Sequence, residues 1–351
     1  MEAPVYWKSR MSDIEEIMQT VKKGKARTVA KTPGGRDVWL AEYGEKQDFN
    51  RTATYSSACG AKDVNAYADK RDKKPVVFII GAEHGSEIEG TVACVNLIKM
   101  IETGTDFAGN SIPFLRDCID KIRLLVIPIA NPDGRARFPV ITAHGLKRET
   151  FRGYGQGFWN DGSRCVYPKA KAFQPIKKYS SKIGAYYNDD GVNLVHDNFF
   201  GKKCAEEVEA LLNIADEEAV DFALHLHSAE NGKPGMDPAG YSPLKIRENV
   251  QVLKERIDKE AGKFGIPTHV TEMMLDDKPL DSPIPFTIFS AMHHITGCHS
   301  IFFESHQGLD YGPDELGCWE CDPLTHDEIL RSHYICFEEM IKMALELAKL
   351  I

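Results

Sequence analysis

Pro75-Val-Val-Phe-Ile-Ile80 runs without a break into Gly81-Ala-Glu-His84-Gly-Ser-Glu87, and residues 88–102 follow with apolar side chains at helical spacing. A short continuous apolar run reads as a buried strand, so this stretch predicts strand, turn, helix. Three further apolar runs, 122–129, 219–227 and 298–304, have the same strand character. Between and around them lie helix-like stretches at 12–23, 204–215 and 242–264, and a long amphipathic one at 325–350. This alternation predicts an α/β fold: a mixed, mostly parallel central β-sheet flanked by helices on both faces. The chain has 351 residues and 42% hydrophobic composition, with no low-complexity linker and no internal repeat. One domain over residues 1–351 is the expectation. The polar stretches 62–74 and 276–285 read as surface loops.

Open α/β sheets place ligands outside the carboxyl ends of their strands. His84 and Glu87 sit at such an exit, and three residues apart they can reach one metal ion. Catalytic zinc takes three protein ligands, imidazole and carboxylate among them, and keeps a fourth position open. The run 219–227 ends in Leu224-His225-Leu226-His227, and residues two apart on a strand point to the same face. Only one of the two histidines is required. His227, nearer the strand end, is preferred as third ligand; His225 is the alternative, or else a histidine packed behind the site. The run 298–304 ends in Glu304, a candidate general base that would take a proton from water and pass it to a leaving amine. A metal ion lowers the pKa of water from about 15.7 towards about 7, and acid–base help of this kind gives roughly 10²–10⁴ in rate.

The ordered motifs His84-Gly-Ser-Glu87, Asn131-Pro-Asp-Gly134, Gly191-Val-Asn-Leu194, His227-Ser228 and Phe303-Glu304 resemble those of the zinc metallocarboxypeptidases of the carboxypeptidase A type. Gly34-Gly-Arg-Asp-Val-Trp-Leu-Ala-Glu-Tyr43 is similar to that family's first hairpin strand. The resemblance implies Zn2+ on His84, Glu87 and His227, attack by water promoted by Glu304, and a peptide or small amide as substrate. It also implies an arginine that polarises the scissile carbonyl. Arg152 matches best, with Arg148 as the alternative. The departures bear on substrate. Where the family reads Gly-Val-Asp-Leu-Asn-Arg-Asn-Phe, gripping a C-terminal carboxylate with Asn-Arg, this chain reads Gly191-Val-Asn193-Leu-Val195-His196-Asp197-Asn198-Phe199. Val195 cannot hydrogen-bond a carboxylate, and His196 is a pH-dependent substitute for a guanidinium. Asn193 replaces the aspartate that commonly orients a zinc-bound histidine, although its amide oxygen can still accept that bond. Residues 283–297 hold no tyrosine matching the family's mobile active-site tyrosine; His293 and His294 are the conspicuous polar residues there.

Net charge is −9, which disfavours nucleic acid as a partner. No apolar span is long enough for a membrane, no basic-then-apolar leader opens the chain, and nine cysteines lack framework spacing, so the cytoplasm is the expected compartment. Cys318 and Cys321 form a C-x-x-C pair without a second pair at zinc-finger spacing. Residues 135–182 carry eleven Lys and Arg against two acids, interleaved with aromatic residues. They read as a loop that could form a basic rim for an anionic substrate, with Arg148, Asn193 and His196 as candidate substrate contacts. The functional expectation is a zinc-dependent hydrolase of an amide or peptide bond. The alternatives are an amidohydrolase or deacylase acting on a non-peptide or cell-wall-derived amide, and a non-catalytic binding protein with the same fold.

Overall fold

Along residues 76–80 every side chain is buried, and alternation sends Val77 and Ile79 into one hydrophobic cluster and Val76, Phe78 and Ile80 into another. A strand apolar on both faces has to lie inside a sheet with helices above and below. The computed structural model describes residues 3–200, 204–230, 232–269, 284–310 and 322–349. Its strands are β1 (Lys25–Lys31), β2 (Asp37–Tyr43), β3 (Val76–Gly81), β4 (Arg123–Ile127), β5 (Gly157–Trp159), β6 (Ser180–Ile183), β7 (Phe222–Ala229), β8 (Gly235–Pro238) and β9 (His299–His306). Seven of them form one sheet in the order β1-β2-β4-β3-β7-β9-β8; β5 and β6 form a separate antiparallel ribbon. The central neighbours β4, β3, β7 and β9 are parallel, and the outer pairings are antiparallel.

The helices are α1 (Met11–Gln19), α2 (Tyr55–Gly60), α3 (Glu89–Thr103), α4 (Pro113–Cys118), α5 (Pro132–Arg137), α6 (Arg148–Gln156), α7 (Glu206–Glu217), α8 (Leu244–Gly262), α9 (Ile288–Thr296) and α10 (His326–Ala348). Residues of α1, α3, α8 and α10 pack with Val77 and Ile79 on one face, and residues of α2, α7 and α9 pack with Phe78 and Ile80 on the other. Each fully buried aliphatic or aromatic side chain of this kind contributes about 1.5–3 kcal/mol. Along β7, Leu224 and Leu226 belong to the first cluster, which leaves His225 and His227 on the α7/α9 face. Along β9, Ile301 and Phe303 do the same, so Glu304 faces the same way as the histidines.

Two expectations change in the structure. The first helix stops at Gln19 rather than residue 23, because the backbone N–H groups of Lys22 and Lys23 bond to the Glu102 carboxylate and start the chain towards β1. The basic stretch 135–182 is no bare loop. It contains α6 and the β5–β6 ribbon, held by a small cluster in which Phe138, Phe151 and Leu309 are buried with Ile88. The Cys318/Cys321 pair and nearly all of the 276–285 loop lie outside the described residues.

Candidate metal centre

The turn after β3 is fixed by glycines and by the Asn131-Pro-Asp-Gly134 motif. A Cβ on Gly85 would fall 2.1 Å from the Arg135 nitrogen, and one on Gly90 would fall 2.6 Å from the Leu226 Cβ, so the loop and the start of α3 sit closer to their neighbours than any side chain permits. Asn131 accepts from the Gly134 N–H at 2.8 Å, capping α5, and its amide donates to the Glu83 carbonyl at 3.2 Å. Asp133, fully buried, accepts from Thr32 Oγ1 (2.5 Å), Arg36 Nη1 (2.8 Å) and the backbone N–H groups of Gly34 and Asp189 (3.0 Å each). The motif thus ties the β1–β2 turn and the 186–193 loop to the turn that carries His84.

The donor atoms of His84, Glu87 and His227 all lie within 4.8 Å of one another. Nδ1 of His84 is 2.9 Å from one Glu87 oxygen, and Nδ1 of His227 is 2.7 Å from the other. The Nε2 atoms point away and are occupied: His84 Nε2 lies 3.1 Å from Asn193 Oδ1, and His227 Nε2 lies 2.8 Å from Glu83 Oε2. With each Nε2 held from behind, both Nδ1 atoms are turned towards Glu87, where a metal ion would take the place of the proton shared with the carboxylate. Burial alone would raise the Glu87 carboxyl, but His84 and His227 outweigh it and hold it well below the usual range. Burial would depress His227, and Glu87 and Glu83 outweigh that too, raising its basicity well above that of a free imidazole. The carboxylates of Glu87 and Glu83 around these rings also favour a dication. Two imidazoles and a carboxylate converging at the edge of an open cleft fit a catalytic zinc ion, with the cleft side left for water or substrate.

His225 turns elsewhere. Its Nδ1 donates to Glu83 Oε1 (2.9 Å) and its Nε2 meets Ser300 Oγ (3.3 Å). Glu304 stands beside His227 in the β7–β9 register and lines the same cleft, of about 1100 Å³. Burial, helped by Glu87 and opposed by His227, pushes its carboxyl up to about 7. Arg152 lines the cleft, bound side-on to Glu230 through Nε (2.5 Å) and Nη2 (3.1 Å), and Arg148 reaches the same carboxylate. The expected basic rim is therefore mixed in sign: Glu230 faces Arg152, and Glu149 faces Arg164. Val195 and His196 line the cleft where the carboxylate clamp would stand, and burial, aided by Lys171, pushes His196 down to about 3, so it is uncharged at neutral pH. His293 and His294 bond to the backbone carbonyls of Cys298 and Ser290, both at 2.8 Å, as parts of the α9 terminus.

Three cleft or near-cleft residues escaped sequence reasoning: Glu83, Glu230 and Tyr186. Tyr186 stacks on His84 at 4.1 Å between ring centroids, and burial with Glu87 and Glu304 nearby holds its phenol proton firmly. One signal did exist for Glu83. Two histidines on one buried strand face, with only one needed as ligand, require an acceptor behind them.

The chain belongs to the zinc carboxypeptidase family, whose model matches residues 14–232. Its fold is that of solved metallocarboxypeptidases. The metallo-carboxypeptidase from Burkholderia cenocepacia superposes with a TM-score of 0.57 at 13% identity, covering 95% of this chain and 68% of that one. The metallo-carboxypeptidase from Pseudomonas aeruginosa, solved in complex with (2-guanidinoethylmercapto)succinic acid, gives 0.54 at 12% identity, covering 95% and 68%. Carboxypeptidase A from Helicoverpa armigera gives 0.53 at 13% identity, covering 98% and 74%. A comparison with curated protein sequences finds no match. Among the described residues no helix is long and apolar enough to cross a membrane.

Proposed function

We propose that the chain is a zinc-dependent hydrolase of an amide or peptide bond, with His84, Glu87 and His227 as ligands, Glu304 as general base and Arg152 as the group facing the scissile carbonyl. The observation that carries this reading is the pairing of a His/Glu/His donor set with an adjacent carboxylate at one cleft. Zinc held there would supply a Lewis acid and bring the pKa of water towards about 7. Glu304 takes the proton of the attacking water and returns it to the leaving nitrogen, a task suited to a carboxyl poised near neutrality. Arg152, oriented by Glu230, keeps Nη1 for the oxygen on which charge develops. An anionic substrate group would have to compete with Glu230 for the same guanidinium.

A second reading, an amidohydrolase or deacylase for amides without a free C-terminal carboxylate, is favoured by Val195 and His196 at the clamp position. Zinc quantification on the purified protein tests the metal. A panel of peptides with free and with amidated C-termini, together with N-acyl amino acids, separates the two readings. A protein that binds zinc stoichiometrically yet hydrolyses no member would instead be a binding protein.

A further inference from the structure

We infer that Glu83 is a positioning residue for the metal: it holds His227 from behind, and with His225 and Ser300 it moves the anionic support of the centre from one histidine to the other. The inference rests on the zinc reading above and goes beyond it. In the family pattern a carboxylate commonly orients a ligand histidine from the 193 position. Here that position is Asn193, a neutral acceptor on His84 Nε2, while the carboxylate sits behind His227 instead. Both Glu83 oxygens are used, one on His227 and one on His225, and the chain closes on Ser300. Glu83, His225 and Ser300 are fully buried. A carboxyl group buried this completely with each oxygen committed to a different imidazole occupies a position costly to fill, which argues for a role.

The backbone is shaped for the task. Ala82, buried and not glycine, adopts φ 49° in the left-handed region, in the turn that brings Glu83 under the ends of β7 and β9. Asn131 locks that turn through bonds to the Ala82 and Glu83 carbonyls, so the cost of the unusual dihedral is met by the motif beside it. With Nε2–H of His227 donated to Glu83, the ring cannot turn over to present Nε2 to the cleft. The charge behind the ring also makes Nδ1 a stronger donor to a cation.

The test compares the wild type, Glu83→Gln, and Glu83→Gln with Asn193→Asp. Zinc dissociation constants come from competition with a chelator of known affinity, and the Co2+-substituted proteins give visible spectra. Glu83→Gln should weaken zinc binding by about 10–100-fold and shift the cobalt bands. Asn193→Asp in that background should recover about tenfold or more, by restoring a carboxylate behind the other histidine. Wild-type affinity and spectrum in Glu83→Gln would overturn the inference. So would weakened binding that Asn193→Asp does not restore, because Glu83 would then serve the fold alone. If Glu83→Gln does not fold, Glu83→Asp is measured instead: weaker zinc supports positioning and unchanged zinc overturns it. A wild type that binds no zinc fails the metal reading itself, before Glu83 is in question.

Discussion

His227 and Glu304 are register partners on the adjacent parallel strands β7 and β9, both pointing into one cleft. Parallel pairing puts the two chain ends level, so an imidazole from one strand and a carboxylate from the next meet at the crevice without any loop to position them. Replacing His227 with Ala should empty the zinc site after dialysis, whereas His225→Ala should keep a zinc ion because its ring faces Glu83 and Ser300. Metal analysis showing the reverse would exchange the roles of the two histidines.

Glu304→Gln preserves shape but cannot accept a proton. Zinc content and melting temperature should stay near wild type while turnover on any cleaved amide falls by about 10²-fold or more. A loss of only a few-fold would remove Glu304 from the chemistry.

Arg152 and Glu230 are predicted to separate in kinetics. On the role proposed for it, Arg152→Ala removes the donor to the developing charge, so kcat should fall by about 10²-fold with a smaller change in KM. Glu230→Gln leaves the guanidinium less satisfied, and KM for acidic amides should drop while neutral amides change little. Equal effects on acidic and neutral substrates would show that Glu230 does not bear on charge selection.

Asp133, buried, holds four donors from two segments, the β1–β2 turn and the 186–193 loop. Asp133→Ala leaves Arg36 with Asp189 alone and strips the Thr32 hydroxyl and the Gly34 and Asp189 N–H groups of their acceptor, so it should cost about 1–3 kcal/mol of stability, read as a fall in the urea midpoint. A change within experimental error would mean that water replaces the carboxylate freely.

Burial pushes the imidazoles of His299, His306, His326 and His333 down to about 4. In the unfolded chain they titrate near about 6.5. Between those values the unfolded chain binds more protons, so stability is intact above about pH 6.5, declines as pH falls and has no more to lose from these groups below about pH 4. Urea midpoints across this range should show the slope. His333→Phe, placed between Phe303 and Phe337, should reduce the proton uptake on unfolding by about one. An unchanged slope in that variant would contradict the assignment.

The sheet was legible because its central strands are buried on both faces, and such strands announce themselves as unbroken apolar runs: residues 76–80 and 219–227 lie within a few residues of β3 and β7. The converging His84, Glu87, His227 and Glu304 followed from their places at strand exits. Glu83 and Glu230 were not legible in the same way. Their partners, His225 and Arg152, lie 142 and 78 positions away, and no local pattern encodes such a meeting. Helix α6 was hidden by Gly153 and Gly155, which lower helical propensity; it is stabilised by Phe151 packing in the small cluster around Ile88.

The β5–β6 ribbon shares no strand pairing with the seven-stranded sheet. Lengthening, shortening or recolouring it leaves the register of β7 with β9 untouched, and with it the spacing of His227 from Glu304. Mutation between β5 and β6, where Arg164, Tyr167 and Lys171 line the cleft, can therefore change what enters it while His227 and Glu304 keep their spacing. A graft of a foreign ribbon between Gly157 and Gly184 is the natural laboratory counterpart of that freedom.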